Sequence, residues 1–560
     1  MGQTKKIYIT LIALFSLSLT QTTLASEFFD APYEQDEFDV FLDDPDVNHF
    51  LDENEFQFVR RNPGPAEIFE LLTEEGLVHA FVDLFKEDIY LRTHPLTRRD
   101  ILDLPMGMLD KNYNYNNWII GTEIFWNNTD RSYFSRKCDF ISAYLALDSG
   151  SFLAKLDAIA KEVQQFGDFD FDPADIFILF KNGTVQERQF GFLLHGRKSW
   201  RKWRFSWKFP FYYLERNFWF TEEEQEAIEK EFGALEEEEQ ERFQERYMIS
   251  DKLGFGDLRF MFDHPIREEE RFDTRLGVLF TIPTAWGAKG LKGTHFVECP
   301  RPELDLAEVI EIALDALDDP AKEEEVFDIL QNFAYSALDR MSLILLEEPL
   351  GNRRHFGAGI FIESITPLDL FIKRPWASNI NWKSFISLEY LFPAKEKRFF
   401  VERIDPRLFD MRDFTITDSD DPVQKTRAED NMAFLSEQFV DRFFPHIFET
   451  WVHPGLVFRW SGKAVYQSAR WGFHIGTDMW VKTEESFGDI DADDDLFVDR
   501  LRIARAKRML GYQTKIFGSL LYKTRRSKRD WTISLNADGT ILHSGIGSDY
   551  TVSLNLEVDF

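Results

Sequence analysis

The sequence predicts an all-β fold: a transmembrane antiparallel β-barrel of about 14 strands, with 12 as the alternative, carrying an N-terminal helical segment and long, partly helical external loops. Three observations carry that prediction. The chain stops on an alternating strand, Tyr550 to Phe560, short runs of the same two-residue period recur from Trp118 onward, and long and short connections alternate between those runs. Successive strand side chains point to opposite sides of a sheet, so strands with one apolar and one polar face suit a wall between lipid and water.

The N-terminal residues read as a leader. Lys5 and Lys6 precede an apolar run from Ile7 to Leu19 and then Thr23-Leu24-Ala25, the charged, hydrophobic and small-residue regions of a signal peptide over residues 1–25. Thr20-Gln21-Thr22-Thr23 interrupts the run too early for a membrane anchor, which needs roughly 20 apolar residues. Ser26 stands where a lipoprotein would need Cys. Residues 26–116 form an acidic segment, aperiodic to about Asn62-Pro-Gly-Pro65 and then amphipathic over Ala66 to Lys86, where Ile68, Leu71, Leu72, Leu77, Phe81, Leu84 and Phe85 are spaced for one buried side. It is expected to plug the barrel or extend beneath it.

Residues 117–560 are the predicted barrel. Candidate strands lie near 118–126, 137–147, 176–181, 188–197, 201–213, 255–263, 274–283, 354–363, 382–392, 455–462, 470–482, 509–523, 531–541 and 549–560. The alternation places Trp203, Phe205, Trp207, Trp382, Tyr390, Trp471, Phe473, Tyr550 and Phe560 on the lipid face. It turns Arg197, Lys202, Arg204, Lys208, Arg259, Arg275, Lys383, Arg459, Lys482, Lys515, Glu123, Glu363, Glu389 and Asp478 toward the lumen. If the last strand runs down to the periplasm, the connections at 214–254, 284–353, 393–454 and 483–508 are external, and they are the long ones, as bacterial barrels require. Helical spacing recurs in the external stretches Asp305 to Leu346 and Arg427 to Phe448, and Glu222 to Arg246 is charge-dense.

Composition narrows the function. A net charge of −33 argues against nucleic-acid binding, which wants basic patches. The 57 Phe and 14 Trp are a heavy aromatic load for so acidic a chain, and barrel girdles would use it. Cys138 and Cys299 could pair in an oxidising compartment or stay free, and their spacing does not decide. Asp489, Asp491 and Asp493 have the spacing of a calcium loop's first ligands, but Asp494 stands where Gly is required and Arg500 where the bidentate Glu should be, so a hydrated acidic loop is the better reading. Gly287 to Gly293 lacks the ending of a phosphate loop. No nucleophile-elbow or zinc-pair motif is present, so no catalytic residue and no cofactor is assigned.

The terminal strand resembles the closing strand of Gram-negative outer-membrane barrels, whose final Phe belongs to the barrel-assembly signal. Gly254-Phe-Gly-Asp257-Leu258 is similar to a segment of barrel transporters of hydrophobic compounds, of the long-chain fatty-acid transporter and phenol-degradation channel type. That likeness covers five residues and implies fourteen strands with an N-terminal hatch. The resulting expectation is an outer-membrane channel for passive uptake of small molecules, its selectivity set by lumen charges and loops. A surface-display or adhesion barrel with a blocked lumen is the alternative, and a barrel enzyme a third. Expected partners are outer-membrane lipid and lipopolysaccharide, the barrel-assembly machinery, and a small-molecule solute.

Overall fold

The computed structural model describes residues 98–104, 118–131, 183–222, 242–268, 272–293, 301–303, 320–346, 350–370, 372–402, 444–492, 498–526 and 529–560, with isolated positions between them. Seventeen strands run through them: β1 Trp118–Arg131, β2 Thr184–Trp200, β3 Trp203–Trp219, β4 Ile249–Phe255, β5 Leu258–Glu268, β6 Asp273–Ile282, β7 Trp286–Gly293, β8 Gly357–Pro367, β9 Ile380–Leu391, β10 Ala394–Phe400, β11 His446–His453, β12 Gly455–Gln467, β13 Trp471–Lys482, β14 Ser486–Ile490, β15 Gly511–Arg526, β16 Arg529–Ser544 and β17 Ser548–Asp559.

Twelve of these close on themselves in the order β1-β2-β3-β5-β6-β8-β9-β12-β13-β15-β16-β17, each antiparallel to its neighbours. The seam is β1 against β17, in unbroken register from Ile119↔Asp559 to Thr129↔Asp549. The barrel therefore has the lower of the two expected strand counts. The predicted strands at 137–147 and 176–181 lie outside the described residues.

The extra pairings lengthen the wall instead of widening it. β4 and β5 succeed one another along the same partner, Phe211↔Phe255 above and Lys208↔Arg259 below, with Gly256 and Asp257 as a kink between them. β6 and β7 are interrupted likewise at 283–285, and β10, β11 and β14 form a separate three-stranded sheet beyond β9, β12 and β13. The predicted external loops at 214–254, 284–353, 393–454 and 483–508 thus contain five short strands, which local sequence alternation was too brief to mark. One helix, α1 Pro320–Leu346, falls within the stretch expected to be helical. Its last turn, Leu343 to Leu346, packs with Val185, Phe218, Phe220, Phe399 and Val401.

Apolar and polar faces are inverted relative to a water-soluble sheet. On β17, Val552, Leu554 and Leu556 are exposed while Thr551, Ser553 and Asn555 are buried. The same holds around the wall, where Ile124, Phe190, Val278, Ile360, Leu388, Phe473, Leu520 and Leu535 all face outward. A continuous apolar surface of this extent marks a membrane-facing wall. Exposed Trp118, Trp200, Trp203, Trp471 and Phe560 ring the end with short turns, and Trp126 meets Tyr550 edge-on at 5.2 Å toward the other. Among the described residues no helix is long and apolar enough to cross a membrane.

Candidate functional site, a charged lumen crossed by residues 98–104

Lumen positions alternate with lipid-facing ones, so each strand delivers a polar side chain inward every second residue. Between them lies the segment Arg98 to Leu104. Asp100 caps a single 3-10 turn, Ile101–Asp103, by accepting from the Leu102 backbone N–H at 2.8 Å. The turn's apolar side chains, Ile101, Leu102 and Leu104, pack with Phe125, Leu193, Tyr212, Leu214 and Leu350. Its charges reach the wall in three directions: Arg98 pairs with Glu187, Arg99 with Asp478 at 2.5 Å, and Asp103 with Arg259 at 2.6 Å. Its carbonyls are also held, Leu102 by Arg259 and Leu104 by Arg459, each at 3.3 Å.

The wall's own charges form linked sets. Arg259 also donates to Glu389 at 2.9 Å and to Thr281 at 3.1 Å. Arg459 donates to Asp478 at 2.9 Å. Lys515 bridges Asp549 at 2.6 Å and Asp538 at 2.8 Å, and Asp549 accepts in addition from Asn127 and Thr540, each at 2.8 Å. Toward the short-turn end, Arg204 joins Asp263 at 2.7 Å and also pairs with Glu363, while Arg275 pairs with Asp263. Glu123 accepts from Asn536 at 2.9 Å and from Ser553. Gly121 makes room for this layer, because a Cβ there would lie 2.4 Å from the His195 ring, which reaches past it to Asn555 at 3.0 Å.

Of the residues expected to face the lumen, Arg197, Arg204, Arg259, Arg275, Lys383, Arg459, Lys515, Glu123, Glu389 and Asp478 are buried inside the wall, and Lys208 and Glu363 are half-buried there. Lys202 is a correction: it sits exposed in the two-residue turn between β2 and β3, because β2 runs on to Trp200. Lys482 stands at the rim, 3.3 Å from Glu485. Outward aromatics are exposed at Trp203, Tyr390, Trp471, Phe473 and Phe560, and half-buried among neighbours at Phe205, Trp207, Trp382 and Tyr550. The sequence reading missed the acids that complete the network, Asp263, Asp538, Asp549 and Glu187, and missed Arg98, Arg99 and Asp103. The density of opposite charges in Arg98-Arg99-Asp100-Ile-Leu-Asp103, just ahead of the first strand, was the available signal.

The Gly254-Phe-Gly-Asp257 segment forms the kink between β4 and β5. The buried Asp257 carboxylate accepts from the backbone N–H of Asn352 at 2.7 Å and of Ala285 at 3.2 Å, tying three connections together. Gly351 in that clamp has φ +71°, and a Cβ there would meet Asp257. The calcium-like loop gives no cluster among the described residues: Asp489 is exposed, Asp491 pairs with Lys395 at 3.3 Å, and Asp493 lies outside the described residues. Glu402, Asp441 and His446 do converge, with ligand atoms within 4.8 Å of one another. Arg301 pairs with Asp441 and lies 2.9 Å from the His446 ring, so a cation already neutralises the group. Burial pushes the imidazole pKa down, but the bonds to Asp441 and Glu402 outweigh it and hold it above the ordinary value. Nearby on β10, burial would raise Glu396, but Arg398, His355 and Arg353 hold it well below the usual carboxylate range.

Fold and lumen together define the class: a transmembrane β-barrel with a charged interior. No family model and no curated protein matches the sequence. Among solved structures, the chain is similar to an outer membrane channel from Pseudomonas putida F1, at 6% identity over 81% of this chain and 100% of that one, with a TM-score of 0.38. It is also similar to the Pseudomonas putida toluene transporter TodX, at 6% identity over 85% and 99% with a TM-score of 0.28. LpxR from Salmonella typhimurium matches at 9% identity over 78% and 99%, with a TM-score of 0.22.

Proposed function

We propose that the protein is an outer-membrane barrel for passive uptake of small molecules, closed in this conformation by residues 98–104. The observation that carries the reading is the way this segment is held. Three ion pairs and a few carbonyl contacts anchor it to β2, β3, β5, β12 and β13, and among the described residues no strand pairing does so. Such pairs exchange for solvated charges at modest net cost when water enters, because buried ion pairs owe much of their attraction to the dry surroundings. Withdrawal of the segment would leave a column of wall charges able to hold water and polar solute. Asn127, Gln189 and Gln513 support this, each leaving a buried amide oxygen without a partner among the described residues while its N–H is spent on an acid. Lumen cations and acids are largely paired, so selectivity would come from local charge placement and from the long connections more than from a net field.

A blocked barrel that displays its long loops is the second reading, favoured by the same dense pairing. Planar bilayers separate the two. The wild type is expected to show rare, small conductance steps, and the triple variant Arg98→Ala, Arg99→Ala, Asp103→Ala frequent or larger ones. Correctly inserted protein that stays silent in both forms rules out the channel and leaves the display scaffold.

A further inference from the structure

The short-turn end is basic in a strongly acidic chain. Among the described residues, Arg201, Lys202, Arg267, Lys373, Arg374, Arg470, Arg525, Arg526 and Arg529 are exposed there, so that all five strand turns of that end contribute. Asp530 is the exposed acid among them, 3.8 Å from Arg525, and the β5–β6 turn also carries the glutamates of Glu268-Glu269-Glu270 in its sequence. The cations stand beside the aromatic ring at the edge of the apolar wall. Lys198 lies over Trp118 at 5.2 Å, Arg201 over Trp200 at 5.8 Å and Arg529 over Phe560 at 4.5 Å. Exposed tryptophan next to an apolar belt sits at headgroup depth, so these charges are placed at the height of lipid phosphates and not out in free solution. Cations near an anionic surface are attracted to it, and the attraction fades within a Debye length.

We infer that this end is a binding surface for the phosphodiester headgroups of anionic phospholipids in the leaflet that surrounds the short turns. The inference rests on the membrane-barrel reading and is independent of whether the lumen conducts. The test uses the full chain in nonionic detergent, with the thermal midpoint followed during titration with phosphatidylglycerol, with phosphatidylcholine of the same chain length, and with inorganic phosphate. Phosphatidylglycerol is expected to raise the midpoint by several degrees, and the other two to leave it within one degree. Arg374→Gln, Arg470→Gln, Arg525→Gln and Arg526→Gln together should remove most of that rise while leaving the midpoint in phosphatidylcholine unchanged. A matched set at the opposite end, Arg242→Gln, Arg354→Gln, Lys397→Gln and Arg500→Gln, should keep it. An equal rise with inorganic phosphate, or equal loss in both variant sets, overturns the assignment. A chain that shows no heat-dependent shift in gel migration instead refutes the barrel itself.

Discussion

Arg259 is the residue on which most of the lumen converges, with Asp103, Glu389, Thr281 and the Leu102 carbonyl all within reach of its guanidinium. Removing one partner of a buried ion pair costs about 3–5 kcal/mol, because the remaining charges stay dry and uncompensated. Arg259→Met is expected to lower barrel stability by that order in urea titrations of vesicle-inserted protein. Adding Asp103→Asn and Glu389→Gln should recover most of the loss, since the acids that depend on Arg259 are then neutral. His446 supports a second prediction. Its folded pKa is raised, so its contribution is fully present below the ordinary imidazole value and disappears as pH rises through the folded one. The stability gap between wild type and His446→Gln should therefore be wide at pH 6 and close by pH 9, read as thermal midpoints of the full chain. A gap independent of pH would mean that Asp441 and Glu402 do not charge the ring against burial and the Arg301 cation. Arg259 and Glu389 were readable as lumen-facing but not as partners: they are separated by 130 residues, and only the register of the intervening strands brings them together.

At the scale of elements, alternation was readable wherever it ran long enough. β17 and β13 stand where their period placed them, whereas β4, β7, β10, β11 and β14 are short or interrupted and read as loop. The cause is visible at Gly256 and Asp257, whose glycine and acid look like a turn and instead form a kink inside a continuing wall, with Gly256 N–H bonded to the Pro210 carbonyl at 2.9 Å. β17 also gives a direct test of its outward face. Leu554 is half exposed midway along the strand, and a charged substitution on the lipid face costs about 2–4 kcal/mol near the bilayer midplane. Leu554→Arg should show that loss in vesicles, and Leu554→Ala a smaller one. Equal effects would mean that the residue does not face lipid.

At the scale of the barrel, the described residues sort charge into separate places: paired acids and bases inside, apolar surface around, and cations on the short turns. The barrel class and the lipid face were readable because both follow from a two-residue period. The strand count was readable only as twelve or fourteen, because the higher number includes runs at 137–147 and 176–181, which lie outside the described residues, whereas β1 pairs directly with β2 and twelve strands close the ring. What lies across the lumen was not readable either, since it depends on seven residues ahead of β1 whose partners lie on five different strands.

The β1–β17 seam has a consequence for how the chain assembles. Asn127 and Asp549 are 422 residues apart, and Glu123 and Ser553 are 430 apart, yet both pairs bridge adjacent strands. Contacts of such sequence separation form late, because nearly the whole chain must be ordered before they repay its loss of freedom. Residues 98–104 precede the strand that closes this seam, so they must already lie among the wall charges when β17 zips against β1, or else thread in afterwards through a finished cylinder.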